Sequence, residues 1–186
     1  MEAVLDAVIR VYTFKDGLLS KLAHDLSLNL LRFEIALEGD EVRGVFEASS
    51  LEVMGAVRDG AVVPGSLSAG DKAKIQASMR DDILKTARYP QVRWSGRASR
   101  HGAEVRLDGT LELCGVAKPC QLVLRATAGR LAGELELSPS LFGIKPFRAL
   151  GGALKIQDRV RIGVDAADPG AQRGSDPVRW RAVGTT

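Results

Sequence analysis

Glu104-Val105-Arg106-Leu107-Asp108-Gly109-Thr110-Leu111-Glu112-Leu113 alternates from end to end. Val105, Leu107, Gly109, Leu111 and Leu113 are apolar or small, while Glu104, Arg106, Asp108, Thr110 and Glu112 are polar. Successive side chains of an extended chain point to opposite faces, so this stretch reads as a strand with one face buried and one in water. Antiparallel sheets tolerate that arrangement, whereas parallel sheets are covered on both faces by their crossover helices.

The same period continues outward. Upstream, Val92, Trp94, Gly96 and Ala98 oppose Gln91, Arg93, Ser95, Arg97 and Ser99. Downstream come Cys120, Leu122, Leu124 and Ala126, then Leu131, Gly133, Leu135 and Leu137 against Glu134 and Glu136, then Val160, Ile162 and Val164 against Arg159 and Arg161. Arg100-His101-Gly102 and Ala128-Gly129 read as short hairpin loops, and Gly115 to Pro119 as the loop between Cys114 and Cys120. Ala3 to Phe14 is apolar on both faces. Leu26, Leu28 and Leu30 alternate before the phase shifts to Leu31, Phe33, Ile35 and Leu37, which predicts a bulge or bend near Leu30. Gly39-Asp40 turns the chain into Val42 to Val53. One segment is helical: Ser68 or Asp71 can cap it, Ile75, Met79 and Ile83 recur on one face, and it stops before Tyr89-Pro90. The expected fold is mainly β, a single antiparallel barrel of about eight strands with one helical segment near 71–86. The barrel would occupy 1–166, and the turn-forming run Asp168 to Pro177 marks 167–186 as a flexible C-terminal tail.

Three stretches, in order, resemble the YceI-like family. Leu84-Lys85-Thr86-Ala87-Arg88-Tyr89-Pro90-Gln91-Val92-Arg93-Trp94 is similar to its helix end, Tyr-Pro step and aromatic-bearing strand. Gly109 to Pro119 resembles its Gly-x-Leu-Thr-x-His-Gly-Val-Thr-Lys-Pro hairpin, with Cys114 in place of the His and Ala117 in place of the second Thr. Leu141-Phe142-Gly143-Ile144 is similar to its Asp-Phe-Gly-Ile, and Asp158 to Ile162 to its closing strand. His24-Asp25-Leu26 looks like the version found in a non-exported branch. The resemblance covers roughly residues 5–165. It implies a lipocalin-like barrel whose apolar channel holds an extended lipid such as a polyisoprenoid or quinone.

Small inward residues (Gly96, Ala98, Gly109, Ala126, Gly133) would either leave volume for a ligand or let the strands coil. If there is a cavity, its lining is expected from Phe46, Val92, Trp94, Val105, Leu107, Leu111, Leu122, Leu124, Leu135 and Phe142; the same residues would otherwise simply fill a core. The helix and the loop around 141–152, with Gly143, Gly151 and Gly152, would stand at the mouth. His24-Asp25 could contact a polar head group, although neighbours on a strand face opposite ways. Lys118, Lys145 and Arg148 could attract an anionic group, and Trp180 between Arg179 and Arg181 could touch a membrane or an anion or idle in the tail.

Other classes find little support. Charged residues make up 26% of the 186, with both signs interspersed and a net charge of +3, so no basic stripe suited to nucleic acid forms outside the short Arg173–Arg181 stretch. No phosphate loop, no Gly-x-Ser-x-Gly elbow and no metal-spaced His/Glu set is present, so no enzyme activity, cofactor or metal is expected. No run approaches the length of a membrane span. Met1 to Asp6 lacks the charge and apolar pattern of a secretory signal, which points to the cytoplasm, with Cys114 and Cys120 as reduced thiols. The expected partner is an apolar small molecule, with a homodimer as a further option. The alternative is a ligand-free interaction or stress-associated barrel acting through protein partners.

Overall fold

The computed structural model describes residues 3–16, 25–146, 148–149, 154–170 and 177–182. In chain order the elements are β1 (Ala3–Asp16), β2 (Asp25–Leu30), β3 (Phe33–Glu38), β4 (Glu41–Glu47), β5 (Leu51–Arg58), β6 (Ala61–Val63) and α1 (Ala69–Ser78), followed by β7 (Gln91–His101), β8 (Glu104–Leu113), β9 (Val116–Thr127), β10 (Arg130–Leu137), β11 (Arg148–Ala149), β12 (Leu154–Ala167) and β13 (Val178–Ala182). Nine strands close a ring in the order β12-β10-β9-β8-β7-β4-β3-β13-β1 and back to β12. The alternation of β7 to β10 places Trp94, Leu107, Leu111, Leu122 and Leu135 on one inner face, as their cross-strand registers require.

The ring is the barrel the sequence predicts, nine strands where about eight were expected, and one parallel pair, β1 with β13, makes it mixed. The extra strand comes from the segment expected to be a flexible tail. Val178–Ala182 inserts between β1 and β3, parallel to Ala3–Ala7 and antiparallel to Glu34–Leu37. It alternates like the others: Trp180 is buried, while Arg179 and Arg181 both bond the carboxylate of Glu34 on β3. β1 serves three partners because it is 14 residues long. Its first half pairs with β13, its second half (Ile9–Thr13) pairs with β2, and β12 takes the opposite edge. The apolar character of β1 on both faces reflects this crowding, with Tyr12 and Phe14 lying outside under the guanidiniums of Arg161 and Arg159.

The phase shift near Leu30 is a bend at Leu31-Arg32. Ser50 Oγ accepts from Arg32 N (2.9 Å), and Arg32 pairs with Glu47 across the bend. The loop between the cysteines is shorter than expected. Cys114-Gly115 alone makes the turn, with φ of 50° and 77°, the left-handed pair that fits the twist of a hairpin. Pro119 lies inside β9 opposite Thr110. It is tolerated there because β10 pairs only with Arg125, Ala126 and Thr127, so the missing N–H falls outside that ladder.

The helix starts earlier and ends sooner than 71–86. Ser68 is its N-cap, accepting from Asp71 N at 3.1 Å, and after Ser78 the chain widens into one π-type turn, Met79–Ile83. Ile75 and Met79 pack on Leu26, Leu28 and Val53 of β2 and β5.

Candidate functional site: the barrel interior

The barrel encloses a cavity of about 1300 Å³. That exceeds the range of roughly 300–1,000 Å³ usual for small-molecule pockets. Of the expected lining residues, Phe46, Val92, Trp94, Val105, Leu107, Leu111, Leu122, Leu124 and Leu135 face it. Phe142 does not: it is buried beside the wall against Leu111 and Cys120, and Ile144 reaches the cavity in its place. Missed altogether were Ile9 and Val11 on β1, Leu26 and Leu28 on β2, and Ile162 and Val164 on β12. Their alternation was visible, but nothing local told which face of β1 or which phase around Leu30 turned inward.

The small inward residues divide. Ala98 lines the cavity. Gly96 and Gly109 are directly paired, and the indole of Trp94 lies across them, so their lack of side chains seats Trp94 and contributes no volume. Gly133 is covered by Leu124.

One end of the interior is closed by charge and by the returning chain. Arg100, in the inward phase of β7, forms two parallel bonds of 2.8 Å with the part-buried carboxylate of Asp168. Gly170 N also donates to Asp168 Oδ1 at 2.9 Å, and Asp168 N donates to Gly129 O. The hydrogen bond from Arg100 holds the Asp168 carboxyl below the usual carboxylate range. Trp180, expected to touch a membrane or an anion or to idle in a tail, is 7% exposed, lines this end, and donates from Nε1 to Ala167 O at 2.9 Å.

The opposite end is bounded by α1, Lys145, Gln157 and Asp158. The β1–β12 register slips between Thr13 and Lys15, which turns consecutive residues Ile156, Gln157 and Asp158 toward the opening. Asp158 accepts from Ser140 N (2.8 Å), and Gln157 Nε2 donates to Lys15 O (2.9 Å). Thr13 Oγ1 is buried with no hydrogen-bond partner among the described residues.

Cys120 faces the cavity, while Cys114 occupies the β8–β9 turn and its Sγ donates to Leu84 O. Both are free thiols, and burial pushes both upward in pKa. Among the described residues, no group of three or more His, Cys, Asp and Glu is placed to hold a metal ion, and His101 is exposed at the end of β7. Lys118 is exposed near the hairpin. His24, Gly151, Gly152 and the side chain of Arg148 lie outside the described residues. No helix among the described residues is long and apolar enough to cross a membrane.

A closed, twisted barrel with a large aliphatic interior, capped by a helix at one end, defines a lipocalin-like protein. Residues 25–167 match the family model of the YceI-like domain, and the chain belongs to that family. Among solved structures it is similar to BcnA of Burkholderia cenocepacia, with 12% identity, 86% of this chain and 94% of that chain covered, and a TM-score of 0.57. It is also similar to a polyisoprenoid binding domain from Saccharophagus degradans implicated in plant cell wall breakdown (16% identity, 89% and 97% covered, TM-score 0.49). A Campylobacter jejuni YCEI protein matches at 14% identity over 60% of this chain and 67% of that chain, with a TM-score of 0.41. Among curated protein sequences none matches significantly.

Proposed function

We propose that the protein binds an apolar, lipid-like molecule of isoprenoid, quinone or fatty-acid type inside the barrel, and so sequesters or carries it. The observation that carries this reading is the cavity of about 1300 Å³ with its aliphatic wall. A filled core would pack to the density of an organic crystal and leave only voids near the size of a water molecule. Each methylene moved from water into such a wall contributes about 0.8 kcal/mol, so a long chain binds tightly with few polar contacts. The mechanism is reversible burial, with no covalent step. We further propose that this carrier acts in the cytoplasm, where thiols such as Cys114 and Cys120 stay reduced.

The test is native mass spectrometry of protein purified from its own host, with lipid identification after solvent extraction. A stoichiometric long-chain adduct is expected. A bare mass, followed by failure to bind added prenols, quinones and fatty acids, would replace this reading with that of a barrel acting through protein partners.

A further inference from the structure

The barrel wall is not closed in the same way along its length. Around the Trp180 end each strand of the ring is joined to the next by a backbone ladder. Around the opposite end, β5 is laddered to β2 on one edge, while its other edge meets β6 only through Ala56, Val57 and Arg58. Beyond Ala56 no strand among the described residues continues that edge, and the segment from Ser66 through α1 takes its place. It does so with side chains. Gln76 Oε1 accepts from Val53 N (3.2 Å), and Gln76 Nε2 donates to Leu51 O. Together they satisfy the edge groups that a neighbouring strand would otherwise bond. Ser66 Oγ accepts from Ala56 N (2.9 Å), and beyond the helix Arg80 Nε donates to Ser49 O (3.1 Å).

This segment is lightly held otherwise. α1 has no buried residue of its own, and its apolar hold is Ile75 together with Met79 of the following turn. Both of those side chains, with Ser66 and Leu67, form part of the cavity wall. Gln76 does not face the cavity. At the far side of α1, the π-type turn Met79–Ile83 supplies a weak point in the helix ladder, and such turns recur at functional sites.

We infer that the segment from Ser66 to Met79 is the door through which the ligand passes, with Gln76 as its latch. The inference rests on the carrier reading for its ligand, but not for its motion. Opening breaks the two Gln76 bonds and the bond from Ala56 N to Ser66 Oγ, lifts Ile75 and Met79 off Leu28 and Val53, and exposes the cavity sideways while every ladder of the ring stays intact. Gln76 is a positioning residue: it touches no ligand, so its removal alters how often the door opens and leaves the binding wall unchanged.

The experiment uses the full chain and its Gln76→Met variant, which keeps the length of the side chain and loses its hydrogen bonds. In the apo protein, amide exchange at Val53 and Ala56 is expected to proceed through an opening that leaves β7 and β8 amides protected, and Gln76→Met is expected to speed exchange of Ala56, whose own bond to Ser66 Oγ the substitution leaves in place, about tenfold. With 1-octadecanol as the probe, association and release are both expected to accelerate about tenfold, with the equilibrium constant nearly unchanged. Unchanged rates, or Ala56 exchange that occurs only together with that of β7 and β8, overturn the door. So does faster release paired with an equal loss of affinity, because that marks a binding or merely structural role. Normal exchange behaviour with no octadecanol binding to the parent chain would instead sink the carrier reading and leave the hinged segment standing.

Discussion

Gly96 and Gly109 face each other across β7 and β8, and an added Cβ on Gly96 would overlap Asp108 O and lie 2.5 Å from Gly109 Cα. Neither neighbour can yield, because both are backbone of the same ladder. Gly96→Ala and Gly109→Ala are each expected to cost about 1–3 kcal/mol through overpacking, read as a lower urea midpoint at unchanged slope. An unchanged midpoint would mean that Trp94 does not rest on this pair. Thr13 presents the opposite case. Its hydroxyl is buried and bonded to none of the described residues, so the near-isosteric Thr13→Val is expected to be neutral or to raise stability by about 1 kcal/mol in the same titration. A loss of that size would reveal a partner for the hydroxyl. At this scale the sequence was half legible. The glycines stood out as inward and small, but whether a small residue leaves space or seats a neighbouring ring depends on a rotamer two positions away, which periodicity does not contain.

The strand Val178–Ala182 shows where element-level reading stopped. Val178, Trp180 and Ala182 alternate with Arg179 and Arg181, a strand signal, yet five residues after a Pro- and Gly-rich run look like the end of a chain. What makes them a strand is distant: the free upper half of one edge of β1, and Glu34 waiting on β3. The long alternating strands β7 to β10 needed no such partner to be recognised, because their period repeats for eight or more residues. The returning chain is tied to the barrel by Arg100 and Asp168, and the tie has a pH signature. The pKa of the Asp168 carboxyl is lowered in the folded state, chiefly by its bond from Arg100, so the stabilisation is fully present above its unfolded value of about 3.9 and disappears as pH falls through the lower folded value. Asp168→Asn is therefore expected to lose about 1.5–3 kcal/mol at neutral pH, with the gap to the parent narrowing below about pH 4. A gap that stays constant into acid would show that the carboxylate charge is not what holds the segment. Trp180→Ala, which empties the same end, is expected to cost about 3–5 kcal/mol and to leave the edges of β1 and β3 open to association, visible as concentration-dependent light scattering.

At the scale of the whole molecule, closure was legible and volume was not. Alternating strands with short turns imply a sheet that must bury one face, and closure is the solution that removes its edges. Whether the enclosed space is filled depends on how far the inner side chains reach across a ring whose strand number the sequence left uncertain by one, and one extra strand widens the ring. The ring that results is long as well as wide. From Val160 to Ala166 the β12 wall runs about 20 Å at the usual strand rise, from the α1 end to the cap of Arg100, Asp168 and Trp180. A cavity of that shape, capped at one end by Arg100 and Trp180 and apolar along its length, measures chain length. Across a homologous series of primary alcohols from octanol to docosanol, affinity is expected to rise about fourfold per methylene, following roughly 0.8 kcal/mol each, until the chain reaches the closed end. Beyond that point each further methylene stays in water at the mouth and the gain stops. Calorimetric titration of the series checks this, with a heat-capacity change that grows more negative up to the same break and no further. Leu124→Trp, placed near the closed end, is expected to move the break to shorter chains without weakening the short ones. An affinity that climbs without a break, or a break that Leu124→Trp leaves in place, would mean that the chain does not run along the barrel axis toward Arg100.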